Sequence, residues 1–171
     1  MLCPQCKKSL PEHKSVCTCG HKVNLTTTMS PPKRIGFIND YTNTLTQDEK
    51  HHIGWLLKEF SQESATEVVV VIVESAGDLT PEQYAYWLFR KWKLRSFRKT
   101  GFLILVCLKE QHTQTEIGYG FEKVVSEEDT ERLLDEILIP HFKRGWIGSG
   151  LVHAVRELNK MLYKKSGRVH A

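Results

Sequence analysis

Residues Phe102 to Leu108 form an unbroken apolar run, bounded by Gly101 on one side and by the polar segment Lys109 to Gln114 on the other. The run has strand length, and a strand without a polar face must be covered on both sides. The stretch Glu67-Val-Val-Val-Val-Ile-Val73 has the same character and is β-branched throughout, which favours a second central strand. Two such strands demand helices on both faces of one sheet.

The segments around them read as those helices. Between the two runs, Thr80-Pro81-Glu82-Gln83 combines an N-cap, a proline at the first helical position and a glutamine at the third. It predicts a helix to about Trp92, with Tyr84, Trp87, Leu88 and Lys91/Trp92 along one side. A strand–helix–strand order predicts two parallel strands joined by a right-handed crossover. A shorter strand, Thr115 to Tyr119, follows the second run and ends in Gly118-Tyr119-Gly120, so an antiparallel hairpin completes a mixed sheet.

Upstream, Ile35 to Asp40 is an edge strand or an extended lead-in. Thr46-Gln47-Asp48-Glu49 is then a capping box, and Ile53, Leu56, Leu57 and Phe60 repeat at the spacing of an amphipathic helix. Downstream, Ser126 caps a helix with an acidic first turn, buried through Leu133, Leu134, Ile137 and Leu138 and ended by Pro140. His141 to Gly150 reads as a glycine-rich loop. A last helix follows, with Leu151, Val155, Leu158 and Leu162 inward and a basic end at Lys160, Lys164 and Lys165. The expected fold class is α/β: a three-layer α/β/α sandwich with a short mixed sheet over residues 35–165, with a tail at 166–171.

The first residues belong to something else. Four of the five cysteines fall in Cys3-Pro-Gln-Cys6 and Cys17-Thr-Cys19-Gly20. Two close pairs let four thiolates meet one tetrahedral ion, and a segment too short for a core takes its folding free energy from the metal. Residues 1–21 therefore resemble a small zinc ribbon with structural zinc on Cys3, Cys6, Cys17 and Cys19. The second pair is one residue shorter than usual, so His13 or His21 could replace a thiolate. A redox pair or loose cysteines is the alternative. Residues 22–34, with Thr-Thr-Thr and Ser-Pro-Pro, read as a semi-extended linker.

The chain of 171 residues is 40% hydrophobic and 26% charged, enough for one ordinary domain plus this appendage. A net charge of +4 does not by itself imply nucleic acid. No apolar run reaches the roughly 18 residues of a membrane span. MLCPQCKK lacks a basic stretch followed by an apolar core, so no signal peptide is expected. A cytoplasmic location follows, in which clustered cysteines point to metal.

Five local signatures then line up: Asn39-Asp40-Tyr41; Tyr84-Ala85-x-x-Leu88-Phe89-x-x-Trp92; Gly101-Phe-Leu-Ile-Leu-Val106; Gly118-Tyr-Gly-Phe-Glu122; and Ile139-Pro140-x-Phe142-x-x-Gly145. In this order the chain from about residue 35 to 165 is similar to a TPM domain. That family includes thylakoid-lumen photosystem repair proteins with acid phosphatase activity, a receptor-modulating membrane protein and many bacterial proteins of unknown role. The resemblance implies a Rossmann-like sandwich and a calcium or phosphate site formed by loop acids. Asp40 keeps the first acidic place, Glu122 keeps the acid of the glycine hairpin, and Glu127 stands where the family has aspartate. Before Gly101 the family pattern Asp-Asn-Gly has become Lys99-Thr100-Gly101. A lysine among oxygen ligands repels calcium, so the resemblance implies a calcium site that is weakened or lost here.

Asp40, Glu122 and Glu127 are accordingly the candidate acid/base or metal-binding residues, with Glu127 equally well explained as a helix-start charge. Arg90, Lys91, Lys93, Arg95, Arg98 and Lys99, interleaved with Trp87, Trp92 and Phe97, could meet an anionic ligand or nucleic acid. The simpler reading is that Trp87 and Trp92 are core and the charges a solvated loop; a third is that the basic loop faces the acids in place of an ion. Histidines 51, 52, 112, 141, 153 and 170 show no paired metal spacing, and Cys107 reads as core. Two functions remain: a cytoplasmic interaction module, zinc ribbon plus TPM domain, that binds a protein or anionic partner without turnover; or a calcium-assisted phosphomonoester hydrolase.

Overall fold

A computed structural model of the chain describes residues 6, 8, 18–20, 30–64, 66–94, 100–118 and 125–166. The sheet has four strands in sequential order: β1 (Ile38–Asp40), β2 (Thr66–Val73), β3 (Thr100–Cys107) and β4 (His112–Ile117). β1, β2 and β3 are parallel, and β4 is antiparallel to β3. This is the mixed sheet the sequence predicts.

The period-two alternation of β2 and β3 divides their side chains between two cores. Val68, Val70, Ile72, Phe102, Ile104 and Val106 face one way, where α1 (Gln47–Ser64) and α5 (Ile147–Ser166) cover them. Val69, Val71, Val73, Leu103, Leu105 and Cys107 face the other way, onto α2 (Pro81–Lys91). The architecture is a three-layer α/β/α sandwich. Among the described residues, no helix is long and apolar enough to cross a membrane.

The helix starts form as their sequences dictate. Glu49 Oε2 accepts from the Thr46 amide at 2.8 Å, and the Glu49 amide donates back to Thr46 Oγ1. Thr80 and Gln83 make the same reciprocal pair at α2, as do Ser126 and Asp129 at α3 (Glu127–Arg132). Each satisfies amides that have no partner within their own helix.

Several segments depart from the sequence expectation. α1 and α2 lie on opposite faces of the sheet although both crossovers step the same way across it. The two crossovers therefore have opposite hands, and one is of the uncommon left-handed kind. β4 begins at His112 rather than Thr115, because Gln111, at φ 48°, closes a tight turn with its amide on the Leu108 carbonyl. In α2 all of Tyr84 to Phe89 are buried, not one stripe, since Leu94 and β4 also pack in this layer.

Pro140 does not end its helix. α3 runs through a π-helical stretch (Leu133–Leu138) into α4 (Ile139–Lys143). In an α-helical turn the proline ring would meet the Glu136 carbonyl. The wider turn, with the Ile139 amide bonded to Leu134 O, makes room for it. The stop comes at Gly145, whose φ of 76° sets up a Schellman pair: Trp146 N to His141 O and Gly145 N to Phe142 O, both 2.9 Å. Most of the expected 141–150 loop is therefore helical. Leu151, Ala154, Val155 and Leu158 are buried in α5, while the side chain of Leu162 lies outside the described residues.

The described end of the expected linker is packed on the domain. The Trp92 indole donates to Pro32 O at 3.2 Å, the Tyr41 hydroxyl to Lys33 O at 2.8 Å, and Arg34 pairs with Glu67 at 2.5 Å.

α2 ends in the same Schellman pattern, Leu94 N to Phe89 O and Lys93 N to Arg90 O, but with a lysine at φ 51°. A side chain in that region is strained, so Lys93→Gly is expected to stabilise the fold by about 0.5–1 kcal/mol in urea unfolding. The opposite holds at Gly101, where a Cβ would collide with the Leu94 carbonyl. Gly101→Ala is expected to cost about 2–3 kcal/mol in the same measurement.

Candidate functional site

The Asn39-Asp40-Tyr41 motif spans the end of β1, and each residue has a visible task. Asn39 is fully buried; its Oδ1 accepts from the Ile35 amide at 2.7 Å and its Nδ2 donates to Val70 O at 3.2 Å, fixing the turn before β1. The Tyr41 amide continues the ladder to Ile72 O.

Asp40 has a side chain only 1% exposed. Its Oδ1 accepts from the Thr42 amide at 3.0 Å, the Thr42 hydroxyl at 2.8 Å and the Thr44 amide at 3.3 Å. Its Oδ2 accepts from the Leu45 amide at 3.0 Å and pairs with Lys50 Nζ at 3.1 Å. The loop wraps around this carboxylate, with Asn43 at φ 55° taking the left-handed turn. Burial works to raise the carboxyl, but the Leu45 amide, the Thr42 hydroxyl, Lys50 and the Thr42 amide outweigh it and bring it from 3.8 down to about 2. Asp40 therefore stays ionised through the whole working pH range.

Beside it lies a cleft of about 420 Å³, lined by Ile35, Phe37, Ile38, Asp40, Asn43, Lys50 and Gly54. Ile35 is 70% exposed, and Trp55 on the neighbouring turn of α1 is 55% exposed.

The glycine hairpin is not at this rim. Asp40 pairs with Ile72, and Ile72 with Val106, near the carboxyl ends of the parallel strands. Gly118 bonds Gly101 O at the opposite end of β3. Five residues of strand separate Gly101 from Val106, roughly 16 Å. Thr100, which follows Lys99 in the chain, pairs with Thr66 at that same far end. Arg95, Arg98, Lys99 and Glu122 lie outside the described residues. The cation beside Asp40 is Lys50, which motif reading passed over; its place in the first turns of α1, just after the Asp40 loop, was the available signal.

Glu127 is the first residue of α3, next to the Ser126 cap, and its side chain is not among those described. Of the basic run, Arg90 is exposed and stacks over Tyr86 at 5.8 Å, and Lys91 and Lys93 are exposed. Trp87 is 3% exposed core, and Trp92 is engaged by Pro32 and by Arg34 at 5.9 Å. Neither indole presents a face for stacking bases. Cys107 is buried, and burial pushes its thiol up to about 12, so it is inert as a nucleophile. Cys6 and Cys19 are described, in turns, with Gly20 at φ 85°; Cys3, Cys17, His13 and His21 are outside the described residues.

The TPM domain family matches residues 38–161. The chain is a member of the TPM domain family. The NMR structure of the N-terminal domain of a P. gingivalis protein superposes with a TM-score of 0.70 at 24% identity, over 79% of this chain and 87% of that one. The BA42 protein of the psychrophilic bacterium Bizionia argentinensis superposes with a TM-score of 0.62 at 23% identity, over 72% and 85%. The N-terminal domain of cg2496 from Corynebacterium glutamicum gives 0.59 at 13%, over 85% and 89%. These likenesses show that the chain shares its α/β fold with these three structures. No curated protein matches the sequence.

The Asp40 geometry fixes a pH dependence. A folded pKa below the unfolded value stabilises the fold above the unfolded pKa, and that contribution is lost as pH falls through the folded one. For Asp40 it amounts to about 2 kcal/mol, complete above pH 4 and gone near pH 2. Carboxyl NMR titration is expected to find Asp40 still ionised at pH 3, and Lys50→Met is expected to raise its midpoint.

Proposed function

We propose that the chain is a cytoplasmic interaction module, in which an N-terminal zinc ribbon and a TPM domain bind a protein partner without turnover. The observation that carries this reading is the engaged state of the Asp40 carboxylate. Calcium needs six or more oxygen ligands with lone pairs to give, and here protein donors already hold both oxygens while an ammonium sits 3.1 Å away. Nor does a carboxyl held at about 2 give or take a proton near neutrality. Asp40 therefore serves as the clamp of a loop, and the residues do not fit a calcium site at this rim.

The cleft beside Asp40, with Ile35, Phe37 and Ile38 in its wall, offers an apolar surface for a partner's side chain. The ribbon would hold zinc through Cys3, Cys6, Cys17 and Cys19, its thiolates making a closed structural site. Family membership is what favours the other reading, a calcium-assisted phosphomonoester hydrolase using Asp40, Glu122 and Glu127.

One assay separates the two. Purified full-length protein on p-nitrophenyl phosphate is expected to give no turnover above the blank, with or without calcium, while Asp40→Asn lowers stability. Calcium-dependent turnover that disappears in Asp40→Ala and Glu122→Ala would overturn the module. Elemental analysis is expected to find one zinc per chain at the ribbon, lost in Cys3→Ser.

A further inference from the structure

Where α1, α4 and α5 meet, a second cleft of about 490 Å³ gathers side chains that are far apart in sequence. Asp48 and His52 come from α1, His141 from α4, and His153 and Arg156 from α5. The histidines showed no metal spacing in the chain because they come from three separate helices.

The arrangement depends on two glycines. A Cβ on Gly148 would collide with the Glu49 carboxylate, and one on Gly150 would lie 2.8 Å from the His141 Cβ. Without side chains at these positions, the start of α5 lets α1 and α4 press against it.

His141 is already oriented. Its Nδ1 lies 2.7 Å from the Ile137 carbonyl, which accepts only a proton, so Nδ1 carries the hydrogen and the Nε2 lone pair is free. A carbonyl behind an imidazole is the arrangement that sets the tautomer of a metal-bound histidine. The His141 and His153 rings lie 5.6 Å apart, centre to centre, at 81°. Two imidazoles on one tetrahedral zinc, with Zn–N about 2.0–2.1 Å, hold their ring centres roughly 5 Å apart.

Charge selects a cation over an anion. With neutral imidazoles, Asp48 and Glu49 outnumber Arg156, so the lining is net negative. A phosphate would meet two carboxylates there; a dication would be attracted.

We propose that this cleft binds a divalent transition ion of the zinc class, with His141 and His153 as its first two ligands. Among the described residues no three histidine, cysteine, aspartate or glutamate side chains are already gathered around one point. The remaining ligands come from α1: Asp48 and His52 stand four residues apart on one helix face, exposed, and close on the ion by side-chain rotation. The ion would then clamp α1 to α4 and α5.

The test adds zinc to the full chain and follows the ring nitrogens of the assigned histidines by NMR, which distinguishes this site from the cysteines. Expected are saturable shifts of the His141 and His153 ring nitrogens at pH 7.5. The shifts should persist when Cys3, Cys6, Cys17 and Cys19 are changed to serine. His153→Gln, at an exposed position, should weaken binding about tenfold or more with the amide spectrum otherwise intact, and Asp48→Asn by less. Ring nitrogens unmoved at tenfold excess zinc would overturn the proposal. So would zinc taken up only by the cysteines, or binding that His153→Gln leaves unchanged.

Discussion

β2 and β3 have no polar face, and most of the molecule follows from that. Both sides of the pair must be kept from water, so helices occupy both layers, and the topology accepts a crossover of the uncommon hand to put α2 opposite α1. The same constraint banishes chemistry from the middle of the sheet. Cys107, the one thiol there, is buried and its proton is held tightly. Whatever this domain recognises has to be met at a strand end or on a helix surface.

At the strand ends the polar groups are occupied with holding loops. Asp40 turns five donors inward, and Asn39 ties the preceding turn to β2. Across the same rim Glu110 accepts from the Ser75 hydroxyl at 2.6 Å and from the Ala76 amide, joining the loops after β2 and β3. A buried carboxylate with its lone pairs filled rigidifies its surroundings, because removing any donor leaves charge uncompensated in a poorly solvated place. Asp40, singled out by its motif as a chemical group, can thus be explained as architecture. Lys50 does for Asp40 what a bound cation would do, supplying positive charge from within the chain.

What the sequence conveyed well was periodic or local. The two apolar runs, the helix caps at Thr46, Thr80 and Ser126 and the stripe Ile53, Leu56, Leu57, Phe60 are patterns repeated within a few residues, and each formed as expected. What it conveyed poorly was set by distant partners. Pro140 looks like a stop because a proline breaks an α-helix; only a π-turn, a property of the whole helix, lets it continue. The three histidines of the second cleft are a meeting of separate elements, and no spacing in one chain announces it. Membership of the TPM family came through, because its motifs are short local stretches that follow one another in order along the chain.

The two glycines at the start of α5 show how such a meeting is nonetheless written in the chain. Gly145-x-x-Gly148-x-Gly150 has no meaning as a nucleotide fingerprint, since no strand precedes it. Its glycines have separate reasons. Gly145 supplies a left-handed turn that ends α4; Gly148 makes room for the Glu49 carboxylate; Gly150 makes room for the root of His141. All three act on one junction, the place where α1, α4 and α5 meet. At Gly148 and Gly150 a side chain would occupy the space that the Glu49 carboxylate and the His141 and Phe142 side chains now fill, so the absence of one lets α1 and α4 pack on the start of α5. With Asp40 and Glu110 engaged at the sheet's rim, that junction is where, among the described residues, imidazoles from three helices line one cleft.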